Sequence, residues 1–105
     1  RTGLVPLEKA LENDGDENVR VAAAIALGGM PQGTATTILS RALVAKNQSV
    51  EVRLTTARAL RGRKGGSAVS ALYEALKDTE PRVRLEAAFS LVKLTKGIDL
   101  ERGRR

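Results

Sequence analysis

Residues 10–30 read ALENDGDENVRVAAAIALGGM, and residues 75–94 read ALKDTEPRVRLEAAFSLVKL. Each stretch runs from an Ala-Leu pair through a short polar turn into Val-Arg, then into an Ala-rich segment closed by Leu. The same order recurs more loosely at 42–62, ALVAKNQSVEVRLTTARALRG. The anchoring Val-Arg pairs are Val19-Arg20, Val52-Arg53 and Val83-Arg84. A period slightly above thirty residues is the signature of a stacked repeat architecture. Upstream of each anchor stand leucines four apart: Leu7 and Leu11, Leu39 and Leu43, Leu72 and Leu76. Residues four apart share one face of an α-helix. Each repeat therefore reads as two helices, A and B, expected near 4–13 and 17–29, 35–46 and 49–61, and 67–77 and 81–95.

The punctuation agrees with this division. Asn13-Asp14-Gly15-Asp16 separates the first pair, and Gly28-Gly29 with Pro31 and Gly33 closes the first repeat. Ser49 is placed to cap the second B helix and Ser67 to cap the third A helix. Pro81 suits the first turn of the third B helix, where its missing N–H costs nothing. A single hairpin cannot bury its apolar stripe, so neighbours must stack to share one core. Ala pairs in the B helices permit close approach, and Leu27, Leu60 and Leu91 supply bulk.

The expected fold is thus all-α: a right-handed α-solenoid of three stacked antiparallel helical hairpins in one domain over 1–105. Its repeats are expected at about 4–30, 35–62 and 67–95, with a tail at 96–105. The third B helix is apolar around much of its circumference, at Leu85, Ala88, Phe89, Leu91, Val92 and Leu94. The favoured explanation is a tail that folds back, Ile98 and Leu100 covering the helix, and Arg102–Arg105 fraying; further repeats or a dimer surface are the alternatives. The chain opens on Arg1, which reads as a trimmed chain or a piece of a longer one.

The Leu-rich helix, polar turn, Val-Arg and Ala-rich helix resemble HEAT repeats over about 4–95, most of all the short HEAT-like variety also found in phycobilisome lyases. The middle unit is the loosest, with Thr55 and Thr56 where Ala is usual. The resemblance implies that the Arg after Val pairs with a turn carboxylate: Arg20 with Asp14 or Asp16, and Arg84 with Asp78. Arg53 has only Glu51 nearby. It also implies that B helices line the concave surface.

Composition narrows the function. The chain has no Cys and no His, which removes disulfides, thiolate metal sites, the usual general base and the commonest metal ligand. HEAT-like metal hydroxylases use His–Glu pairs, absent here. The acidic turn at 14–17 lacks the ligand spacing of a calcium loop. Gly62-Arg63-Lys64-Gly65-Gly66-Ser67 lacks the order of a phosphate-binding P-loop. No catalytic, metal-binding or cofactor-binding residue is expected, no cofactor is implied, and the chain is expected not to be an enzyme. No small-molecule substrate is inferred. No apolar run is long enough to span a bilayer, and a soluble, cytoplasmic protein without a membrane partner is expected, as a monomer or weak dimer.

Two surfaces remain as candidates. Counting 100° per residue from each Val anchor, Ile25, Arg58 and Phe89 align away from the core stripe. With Arg61 they form a candidate partner-binding strip for another protein, since Arg and aromatics are common anchors. The alternative is that Ile25 and Phe89 pack against neighbouring repeats or the termini, with Phe89 the better fit to that role. The second surface is charge. Residues 31–66 hold seven basic residues and one acidic, residues 1–30 three and five, residues 67–105 eight and six. Arg53, Arg58, Arg61, Arg63 and Lys64 are the candidate anion-binding set, for nucleic acid or another polyanion. The plain alternative is a solvated face. A protein-interaction scaffold is the leading expectation, polyanion binding the second, and a non-catalytic piece or subunit of a HEAT-like lyase the third.

Overall fold

The computed structural model describes residues 4–103, with side-chain surroundings through Leu94. Six helices follow in order: α1 Leu4–Asn13, α2 Glu17–Gly28, α3 Gly33–Val44, α4 Val50–Ala59, α5 Gly66–Ala75 and α6 Pro81–Gly103. Each odd helix packs on the even helix after it. The odd helices stack as one layer, α1–α3–α5, and the even helices as the other, α2–α4–α6. The result is an all-α repeat solenoid of three hairpins.

The core lies between the layers. Leu11, Leu27, Leu39, Leu60 and Leu72 are fully buried, and Leu91 joins the same cluster. Of the Ala positions, Ala23, Ala24, Ala57 and Ala87 are buried, while Ala88 is only half-buried. Thr56, standing where an Ala is usual, is buried too, and its hydroxyl is satisfied by donating to the Arg53 carbonyl at 2.9 Å. At Gly28 the α2 backbone comes so near α4 that an added Cβ would lie 3.0 Å from Ala59 Cβ. A glycine there sets the spacing of the first two B helices.

Local signals account for three of the six helix starts. Asp16 caps α2 by accepting from Asn18 N–H at 2.8 Å. Ser49 caps α4 by accepting from Val52 N–H at 3.3 Å, and Pro81 opens α6. Ser67 does not cap α5, which begins one residue earlier behind Gly65. Gly65 has φ +126°, a region L side chains rarely adopt. That turn places Ser67 inside the helix.

The expected tail is not a separate segment. Residues 96–103 continue α6, so the backbone does not double back after 95, and Ile98 and Leu100 do not begin a returning strand of chain. Nothing between Leu94 and Gly103 stops a helix. There is no proline, and a lone Gly97 costs only about 1 kcal/mol. The side chains of 95–103 and the terminal Arg104 and Arg105 lie outside the described residues.

Candidate functional site

The even helices carry the exposed row. Ile25 is 63% exposed and Phe89 56%, and the Arg58 side chain is 59% exposed. Phe89 therefore does not pack into a neighbouring repeat, contrary to the favoured expectation for it. At its helical position the adjoining surface of α4 is occupied by arginines, which leaves the ring outside.

Between α4 and α6 the same face sinks into an open groove lined by Arg58, Arg61, Glu86, Phe89, Val92 and Lys93. Its geometry follows from the repeat register. Arg58 from the last turn of α4 and Arg61 from the turn just after it project towards Glu86, three residues after the Val83 anchor of α6. Arg58 reaches one Glu86 oxygen at 3.3 Å, and Arg61 holds the other. The Glu86 side chain is only 13% exposed, so it sits below the guanidinium groups and orients both. Phe89 and Val92 form the apolar wall. Lys93 completes the rim and forms no ion pair among the described residues. The groove offers an apolar ledge beside planar guanidinium donors, with three cations against one carboxylate. Such a surface can take an apolar side chain flanked by carboxylates or backbone carbonyls. Ile25 lies on the same layer but outside the groove.

The candidate anion-binding set does not form one patch. Arg53 is at the turn edge of the stack. It donates to the Gln48 carbonyl and grips Asp78 with two hydrogen bonds, Nε at 2.8 Å and Nη2 at 3.0 Å. The pair is nearly buried, at 12% and 10% side-chain exposure. Burial works against charge on Asp78. The Arg53 hydrogen bonds, the Glu80 N–H and the charges of Arg53 and Arg84 outweigh it, holding the carboxyl below its usual range. Arg63 is at the opposite, linker edge, past the end of α4. Its guanidinium donates to the Gly28, Met30 and Gln32 carbonyls and to the Thr36 hydroxyl. Both arginines are internal fastenings. Arg58 and Arg61 belong to the groove, and Lys64 is exposed beside Arg63.

The arginines after the Val anchors share one role that the family resemblance did not suggest. Arg20 donates to the Asp14 carbonyl at 2.7 Å, Arg53 to the Gln48 carbonyl, and Arg84 to the Asp78 carbonyl at 2.8 Å. Each answers a backbone acceptor in the turn between an A helix and its B helix. The expected partners of Arg20 and Arg84 were turn carboxylates; the structure gives turn carbonyls. Arg53, expected to have only Glu51, instead has Asp78 of the next repeat.

Glu86, Val92 and Lys93 are groove residues that the sequence strip left out. The repeat register held the signal: Arg58 and Arg61 of one B helix face the positions of Glu86 and Lys93 on the next. Among the described residues no group of three or more acidic side chains is placed to hold a metal ion, and no helix is long and apolar enough to cross a membrane. A family model described as HEAT repeats matches residues 4–92. No curated protein matches the chain.

Proposed function

The chain belongs to the HEAT-repeat family, and we propose that it is a non-catalytic interaction scaffold whose α4–α6 groove receives a protein segment. HEAT repeats generally serve as protein-interaction scaffolds. The observation that carries the proposal is the exposed Phe89–Val92 wall beside arginines already held in place by Glu86. Preset donors lose little freedom on binding, and an exposed aromatic gains most from being covered.

Selection from a random peptide library, followed by NMR mapping of an enriched peptide, tests this. Enriched sequences should carry an apolar residue with acidic neighbours and shift the signals of Arg58, Arg61, Phe89 and Lys93. Phe89→Ala should weaken binding by about tenfold or more. Failure to enrich any sequence, or binding indifferent to Phe89→Ala, would refute it.

Polyanion binding is the weaker alternative, because Arg53 and Arg63 are committed to internal contacts. Duplex DNA titrated at low and physiological salt separates the two. A steep salt dependence that needs Arg58, Arg61 and Lys64 would favour the polyanion. A HEAT-like lyase subunit is the third reading, carried by resemblance alone.

A further inference from the structure

Inside the stack, every repeat face is covered by the next hairpin. The two ends can therefore be compared with covered faces of the same design. Arg84 occupies the place of Arg53. Both donate one nitrogen to a turn carbonyl, but Arg53 closes its other edge on Asp78, whereas the same edge of Arg84 meets no carboxylate among the described residues. Asp14 occupies the place of Asp78. Each accepts the N–H two residues on, Asp16 or Glu80, at 2.9 Å. Asp78 then receives a guanidinium from the preceding repeat, and Asp14 receives none among the described residues.

The apolar surface shows the same pattern. Leu85 is 59% exposed, while its counterpart Leu54 packs against the core. Tyr73 is 54% exposed, and its counterpart Ser40 is buried. At the other end Val19 is 40% exposed, whereas Val52 and Val83 are fully covered. Beside Val19 lie the small, exposed Ala22 and Ala26. One end is thus bulky and offers an arginine fork. The opposite end is small-featured and offers a turn aspartate. Formal charge runs the same way: −2 over residues 1–30, from three basic and five acidic, and +2 over residues 67–105, from eight and six.

We propose that the protein stacks head-to-tail on a second copy of itself, Arg84 and Leu85 of one copy meeting Asp14 and Val19 of the next. This continues the joint between the second and third repeats across a chain boundary. It uses the ends of the stack, apart from the groove on the even-helix layer. Because the two faces differ, a pair held by this contact keeps one face free at each end, and association grows with concentration beyond a dimer.

Sedimentation velocity on the full chain over a wide concentration range is the test. Average mass should climb past that of a dimer. Arg84→Glu and Asp14→Arg should each raise the concentration needed by about tenfold or more. An equimolar mixture of the two variants should recover association, because every contact then pairs opposite charges. Since both residues also brace their own turns, Leu85→Glu serves as the independent variant. It should abolish association and leave the thermal midpoint near that of the parent. A constant monomer mass, a closed dimer insensitive to Leu85→Glu, or a mixture no better than its components would overturn the proposal.

Discussion

Where the first repeat meets the second, an arginine clamp holds the linker edge: Arg63 spans the Gly28, Met30 and Gln32 carbonyls and the Thr36 hydroxyl. Where the second meets the third, the fastening is at the turn edge: Arg53 grips Asp78. The turn position that carries Asp78 in the third repeat carries Asn47 in the second. Arg20, which stands where Arg53 stands, is left with a buried Nε that has no partner. Gln48 partly makes up for it, donating to the Leu11 carbonyl at 2.8 Å. Two joints with the same helix packing are thus closed by different polar chemistry. The apolar stack sets the fold, and one turn residue decides whether the turn edge of a joint carries a salt bridge.

The largest expected effect is at the first joint. Arg63→Ala takes the guanidinium donor from the Gly28 and Met30 carbonyls, and unfolding by denaturant should show a loss of about 3 kcal/mol. A loss no larger than that of an exposed arginine would mean water replaces the clamp. At the second joint, Arg53→Ala should cost about 2 kcal/mol, and a double-mutant cycle with Asp78→Asn should show strong coupling. This pair also carries a pH signature. The Asp78 carboxyl titrates below its usual range in the folded chain, so its contribution is complete above about pH 4 and fades as pH falls through the folded value. Asp78→Asn should flatten the acid limb of the stability profile.

A smaller gain is expected from Asn47→Asp. The new carboxylate should pair with Arg20, in register with the Arg53–Asp78 pair, and raise stability by about 1 kcal/mol. The gain should vanish in an Arg20→Ala background; an equal gain there would sever the analogy between the joints. The smallest effect is at Arg41, which binds Glu8 at 2.5 Å and Glu12 at 2.6 Å but is half exposed. Arg41→Ala should change stability by about 0.5 kcal/mol or less.

The repeats were legible because the leucine pairs and Val-Arg anchors record a stripe that only stacking can bury. Ser49 and Pro81 were legible because capping is local. Three features were not. Arg63 acts between two linkers far apart in sequence, and composition showed only a cation in a glycine-rich loop. Arg53 was matched against its own turn, although counting one repeat forward would have found Asp78. The alternation of Ile98 and Leu100 suggested a returning tail, while the absence of any helix stop was the stronger signal. Of the site, the row of Ile25, Arg58 and Phe89 could be read from helical angle. That Glu86 faces the two arginines could also have been read by counting one repeat forward, but its burial beneath them could not, because that depends on how deeply one helix sits against the next.

The Arg63 clamp has a mechanical consequence. A bond along one edge of a joint, opposite an edge that lacks its salt bridge, makes the joint's stiffness directional. Bending the first repeat against the second should pivot about the linker edge and gape at the turns near Asn47, while the second joint resists there. The stack would then flex as a strip hinged on one side, its curvature changing mostly at one end.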